Sequence, residues 1–538
     1  MSESIERPHS RAQKLAYLVA ISAIFLLICT FLQWKSGAYS NDLAGNDDEP
    51  AHVVSGLMAH DYVEHLLRPG NSHWPSTPRA FAEDYYVHYP KVAIGHWPPL
   101  FYLVEAVWMF VFGRTKAALL ALMAVTMAGT ASILFQLTRK IAGEIAAFVL
   151  AAGFLLLPIS QESVESVMQD GLLALLFCGA TIAGGRALES RRGAWVRFWL
   201  LTIAAMSVNG RGAALLPALW IAIPLARRTD VLKRPAFWIA TALALFLAAP
   251  WFLFDHQTKR LSLAPVVSAA TAFPIHAVQC LGPVLFATMV LGAVLAPYRK
   301  EPRWAFVTGV LLGTWALFSV AIVPWDDRYF LFAALACMIL IAIAVRILAD
   351  AVSKAFKWPP MVTVVFLAAI VTGASMARAL PLSEKPAESY ESFIAQILAG
   401  PDGSKPVYLV AGDERHEGGF IAAAALEDPE AKHIVLRATK VLAFTDWGMA
   451  YYRPLFKSST DMVAYLNQSW ISLVVIQEDC ARPDAEMLRA AMIESKWSQL
   501  PAPSGTLVYR RTTPLPPGQI RIRLDMRTKL GKYLEATP

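Results

Sequence analysis

The sequence predicts an α-helical polytopic membrane protein with a soluble α/β domain at its C-terminal end, and three observations carry that prediction. Hydrophobic residues make up 56% of the 538 and charged residues only 17%, against roughly 25% charged in a soluble domain. Mean hydropathy is +0.45. Apolar runs recur at lengths near the ~20 residues that a helix needs to cross hydrocarbon. After residue 380 they give way to short β-branched stretches alternating with amphipathic ones, the pattern of strands between helices.

The first apolar run, LAYLVAISAIFLLICTFL at 15–32, is too long for a signal peptide and lacks its small-residue cleavage site, so it reads as a retained span. Lys and Arg accumulate on the cytoplasmic side of membrane proteins. The clusters Arg7/Arg11/Lys14, Arg139/Lys140, Arg186/Arg191/Arg192/Arg197, Arg227/Arg228/Lys233/Arg234, Arg299/Lys300/Arg303 and Arg346/Lys354/Lys357 are therefore expected inside. Each interval between clusters has room for two spans. The segments joining them at the other face are about 34–116, 158–170, the NGRG turn at Asn209, about 250–271, and 324–328. PPLFYLVEAVWMFVFG, at 98–113, is short and carries Glu105, and reads as a juxtamembrane helix within the first outside loop. The expected topology has about eleven spans, the N-terminus inside and the C-terminus outside. The five cysteines show no metal-like spacing and imply no disulfide framework.

Residues 1–380 thus form the expected membrane domain and 381–513 an outside α/β domain, followed by a basic tail at 514–538. Within the soluble part KPVYLVAG, KHIVLRA, SLVVIQ and GTLVYRR read as strands. GGFIAAAALEDPE, DMVAYLNQ and PDAEMLRAAMIESKW read as helices. The strand-to-helix turn GDERHEGG reads as architecture.

The outside loops hold nearly every unusual polar residue at a membrane boundary: Asp47, Asp48 and Glu49 in the first, Asp170 in the second, Arg211 in the third, Asp255 and His256 in the fourth, and DDRY at 326–329 in the fifth. Charges at membrane depth are costly, so several on one face suggest a shared polar cavity. Asp48 and Glu49 have an equally weighted second reading as caps of the helix that Pro50 opens, and the two readings are compatible. Histidines 52, 60, 65, 73, 88 and 96 crowd the first loop; a divalent metal there is conceivable, but no tight ligand spacing marks one and no cofactor is assigned.

In their order, DDEPAH, HYPKVAIGHWPPLFYLVEAVWMFVFG, MQDGLLALLF, NGRGAALLP, APWF and RYFLFAALA resemble the GT-C glycosyltransferases, nearest the bacterial protein O-mannosyltransferase-like and lipid A aminoarabinose transferase-like branches. The likeness runs over about 15–346. It implies an inverting transfer of a sugar from a polyprenyl-phosphate carrier to an envelope glycan, lipid or protein on the periplasmic face of the inner membrane. In that scheme Asp48 is the general base, Glu49 its neighbour, and Asp170 a second carboxylate facing a sugar. Arg328, Tyr329 and Arg211 are the donor-phosphate candidates. Asp47 makes the register of the acidic pair uncertain by one position. Where the aminoarabinose branch has a lysine in the long loop, Lys91 or His96 are the substitutes, and where it has Lys-Gly this chain has Arg211-Gly212. Arg211 equally fits a turn anchor. No nucleotide-binding glycine loop occurs, in keeping with a lipid-linked donor, and no nucleic-acid partner is expected. The alternative is a secondary transporter, which would be expected to show internal repeats and midplane charges; a mere membrane anchor explains neither the loop nor its charges.

Overall fold

The structure is a computed structural model that describes residues 11–68, 74–93, 95–254, 264–298, 301–320, 326–385, 390–398, 407–445, 452–515, 522–524 and 534–536. Its helices run, in chain order, α1 (Arg11–Lys35), α2 (Glu49–Leu67), α3 (Pro78–His88), α4 (Leu100–Phe112), α5 (Lys116–Ala142), α6 (Glu144–Leu155), α7 (Pro158–Glu165), α8 (Asp170–Leu188), α9 (Ala194–Val208), α10 (Leu215–Leu225), α11 (Pro235–Phe254), α12 (Ala264–Leu281), α13 (Pro283–Leu295), α14 (Pro302–Val320), α15 (Leu331–Phe356) and α16 (Pro360–Ala379). Among the described residues six helices are long and apolar enough to cross a membrane. A seventh is α6 with α7, bent by 65° where Pro158 cannot continue the backbone ladder. Shorter apolar helices, α4, α9, α10 and α13 among them, lie between. The eleven spans expected from the charge pattern take in several of these. The protein is a multi-pass membrane protein.

The chain divides into two compact units, one of residues 1–36, 97–101 and 120–384, the other of 37–96, 102–119 and 385–538. The first is a helical bundle in which one close helix contact is written in the sequence. Gly309 and Gly313, one turn apart on α14, face Ala218 and Ala222 of α10, and a Cβ on either glycine would come within 2.5 Å of α10 backbone. Small residues at this spacing let helices pack in lipid, where van der Waals contact drives association. α15 is buried on every side from Leu331 to Val345, which is why its sequence is apolar all round rather than along one stripe.

The second unit gathers the first long loop, the greater part of α4 and the C-terminal residues. Its strands are β1 (Val407–Ala411), β2 (Ile434–Arg437), β3 (Ala443–Phe444), β4 (Arg453–Pro454), β5 (Ile471–Gln477), β6 (Trp497–Leu500), β7 (Thr506–Arg511), β8 (Ile522–Leu524) and β9 (Leu534–Ala536). Five of them form a mixed sheet in the order β2-β1-β5-β7-β6, with β1 parallel to β2 and β5, and β7 antiparallel to β5 and β6. The four expected strands are β2, β1, β5 and β7, side by side in it. Helices α17 (Glu391–Leu398), α18 (Glu414–Glu427), α19 (Ala438–Val441), α20 (Ser459–Gln468) and α21 (Pro483–Glu494) connect or flank them. One expectation fails: the helix assigned to PDAEMLRAAMIESKW stops at Glu494, and Trp497 opens strand β6. The pairing of Trp497–Leu500 with Arg511–Val508 supplies ladder bonds that local propensity does not register.

Candidate active site

Within the helical unit, three of the expected outside loops meet. Asp170 is the first residue of α8 and is buried. Its Oδ1 accepts a 2.9 Å bond from an Arg211 terminal nitrogen, while its Oδ2 is buried with no hydrogen-bond partner among the described residues. Arg211 stands in a 3-10 turn, Gly210–Ala214, entered through Asn209, whose Oδ1 accepts from both the backbone N–H (2.9 Å) and Nε (3.0 Å) of Arg211. That turn requires Gly212, where a Cβ would fall 2.4 Å from the carbonyl carbon of Ala205. The Arg211 guanidinium lies 4.0 Å from the centre of the Tyr329 ring and that of Arg328 5.2 Å from it. Arg328 is 5% exposed. Its Nε is 2.7 Å from Asp326 Oδ2, and its Nη1 donates weakly to Met168 Sδ at 3.7 Å. Two guanidiniums thus share one tyrosine ring, each oriented by a carboxylate or amide. Stacking and side-on bonds of this kind fix a planar fork that matches phosphate oxygens.

The second unit holds the acidic stretch, and two of its three carboxylates, Asp47 and Glu49, each pair with a cation of their own. Glu49 is completely buried: Oε1 is 2.8 Å from Lys385 Nζ, itself completely buried, and Oε2 accepts from the Gly45 N–H at 2.7 Å. Asp47 is exposed and pairs with Arg415 at 2.9 Å. Asp48, half-buried, occupies the N-cap position of α2 in an αR backbone (φ −87°, ψ −23°), and its side chain makes no capping bond. The backbone, not the carboxylate, closes that helix end, through Asp48 carbonyl bonds from Ala51 and His52. Lys91 is buried, and burial first, then the Arg437 charge, holds its amine down at about 8, while Glu414, Asp48 and Glu417 pull the other way. His96 lies half-buried in the turn that follows Lys91. His256 lies outside the described residues.

Sequence reasoning missed the parts that hold these groups in place. GDERHEGG sits against the acidic stretch: Arg415 takes Asp47, and a Cβ on Gly418 would meet Pro50 at 2.9 Å and Lys91 at 3.1 Å. The same turn is also architectural, since Asp413 caps α18 and the buried Glu417 binds Arg437 (2.9 Å) and Arg482 (3.0 Å). Asn209 lay inside a motif already quoted, but Lys385, 336 residues from Glu49, left no local signal. Of the loop histidines, His60 joins Asp61 and Glu64 with potential ligand atoms all within 4.8 Å of one another. Asp61 is, however, already bound by Arg114 Nε and Nη2 at 3.2 Å each and by the Tyr85 hydroxyl at 3.0 Å. A cation there would have to displace them. His73 lies outside the described residues.

Residues 96–254 match the family model described as dolichyl-phosphate-mannose-protein mannosyltransferase, a span that includes Asp170 and Arg211. No curated protein matches the sequence. Among solved structures, the chain is similar to ArnT from Cupriavidus metallidurans bound to undecaprenyl phosphate, with a TM-score of 0.59 at 13% identity over 95% of this chain and 100% of that one. The apo state of the same protein gives 0.58 at 14% over 93% and 98%. The Archaeoglobus fulgidus oligosaccharyltransferase, in complex with Zn and sulfate, gives 0.50 at 14% over 91% and 73%. The chain thus shares its fold with these proteins through nearly its whole length, and its residues 96–254 match a mannosyltransferase family model.

Proposed function

We propose that the protein is an inverting glycosyltransferase that moves a sugar from a polyprenyl-phosphate carrier to an acceptor hydroxyl or amine on the periplasmic face of the membrane. The observation that carries this reading is the pair of ordered guanidiniums, Arg211 and Arg328, around Tyr329 beside a half-satisfied Asp170. Nothing in bundle packing requires a buried and a part-buried arginine on one ring, and a phosphate monoester or diester is the ligand whose charge and geometry they suit. The likeness to a structure with bound undecaprenyl phosphate supports a lipid phosphate in that role.

In the proposed reaction an acceptor oxygen or nitrogen forms a bond to the anomeric carbon as the bond from that carbon to the carrier phosphate breaks. Asp48 takes the acceptor proton. The carrier leaves as polyprenyl phosphate, and Arg211 and Arg328 offset the negative charge that grows on it in the transition state. The unpartnered Asp170 oxygen is left to accept from a sugar hydroxyl. Glu49, locked by Lys385, holds the start of α2 in position rather than moving a proton. Asp47, paired at the surface, is peripheral.

The test is transfer by purified protein from a short-chain polyprenyl-phosphate sugar. Release of polyprenyl phosphate together with a product of inverted anomeric configuration is expected. Sugar-lipid that crosses a vesicle membrane intact, without cleavage, would instead establish the transporter alternative.

A further inference from the structure

A cavity of about 550 Å³ lies in the helical unit away from these residues, at the other end of α8. Asp170 opens that helix and Arg186 lies in its last turn, sixteen residues on, or about 24 Å along the axis. Lys140, Arg186, Arg191, Arg192, Arg197 and Arg303 line the cavity, with Glu189 as the one carboxylate. That carboxylate does little to offset them: its oxygens are 3.9 Å from Arg191 Nε and 3.9 Å from Arg303 Nε. Arg303 also pairs with Glu301, yet its Nε is buried with no hydrogen-bond partner among the described residues. Among the described residues Lys140, Arg186, Arg192 and Arg197 have no carboxylate partner. Apolar side chains, Ile182, Ala183 and Leu201, complete the lining beside them, and a cleft of about 100 Å³ that shares Lys140, Arg186 and Arg303 continues between Leu137, Val307 and Ile339.

Basic residues at span ends are how a chain sets its orientation, and that alone explains their presence on this face. It does not explain why six of them should line one concavity together with apolar side chains. Two helix N-termini also open beside it, with Arg197 in the first turn of α9 and Arg303 in the first turn of α14, and their partial positive charge favours an anion. We propose that this cavity binds the phosphate headgroup of an anionic membrane phospholipid, its charge held by the arginines and its glycerol-linked carbons laid against the apolar side chains and cleft. The site is distinct from the donor-phosphate cluster and is independent of the reaction proposed for it.

The test uses the full chain in neutral detergent and native mass spectrometry with added phosphatidylglycerol, phosphatidylcholine or inorganic phosphate. Three exposed cavity arginines are neutralised together (Arg186→Gln, Arg192→Gln, Arg197→Gln). A control removes the same charge from exposed lysines elsewhere (Lys14→Gln, Lys354→Gln, Lys357→Gln). At roughly a fivefold loss per cation, phosphatidylglycerol affinity should fall on the order of a hundredfold in the cavity variant and little in the control. Equal losses in the two variants would reduce the effect to diffuse surface charge, and undiminished binding in the cavity variant would remove the site. Displacement of phosphatidylglycerol by equimolar inorganic phosphate would overturn the lipid assignment in favour of a free anion.

Discussion

Replacing Lys385 with methionine should damage the start of α2 more than any nearby surface change. Its Nζ is 2.8 Å from Glu49 Oε1 and both side chains are fully buried, so the substitution strands a carboxylate in the interior. Removing one partner of such a pair typically costs ~3–5 kcal/mol. The Gly45 N–H, 2.7 Å from the other oxygen, remains to share the charge, which places the expected cost near the lower end, about 3 kcal/mol. Membrane proteins often unfold irreversibly, so the accessible quantity is a rate. If the pair is absent from the unfolding transition state, the half-life of monodisperse protein in detergent at a fixed elevated temperature should shorten by about a hundredfold. The double variant Glu49→Gln, Lys385→Met carries no buried charge and should recover most of the loss. A Lys385→Met protein that survives within about threefold of the unmodified chain, or a double variant no longer-lived than the single one, would refute the reasoning.

Three further predictions rest on the same geometry. Arg328→Lys keeps the charge but loses the fork that faces Tyr329 and Asp326; donor affinity should fall roughly ten- to a hundredfold, the worth of one charge-assisted bond, with folding intact, whereas unchanged donor affinity removes Arg328 from the phosphate site. Lys91 has its folded pKa, about 8, below the ordinary lysine value of 10.5. The unfolded chain therefore binds the extra proton between those values, and stability should rise with pH across that window by up to about 3 kcal/mol; Lys91→Met should flatten that rise in paired melts. A reporter fused after Arg192 should be cytoplasmic and one after Ser383 periplasmic, while one at Arg114 decides whether α4 spans; a cytoplasmic result at Ser383 overturns the expected topology.

Much of this molecule was legible where a property is local. The length of the 15–32 run, the apolar sequence of α15 and the β-branched cores of β1, β2, β5 and β7 each declare an element within one window. Asp170, Arg211 and Arg328 stood out singly because a charge beside a span is expensive. Their grouping around Tyr329 was not legible, since residues separated by tens to more than a hundred positions meet only through helix packing. The same holds for Lys385 and Glu49, and for the approach of Gly418 to Pro50. Strand β6 escaped because its four residues continue a helical pattern and become a strand only on pairing with β7.

The central claim is that Asp48, alone among the three consecutive acids, removes the acceptor proton. Asp48→Asn keeps the shape of a side chain that makes no capping bond and deletes its basicity. The decisive measurement is single-turnover sugar transfer by Asp48→Asn and Asp47→Asn at equal, saturating occupancy of the polyprenyl-phosphate donor. The account predicts transfer at least ~100-fold slower for Asp48→Asn with donor binding unchanged, and a mild effect for Asp47→Asn. Loss of transfer in Asp47→Asn with Asp48→Asn spared, or normal transfer in both, would contradict it.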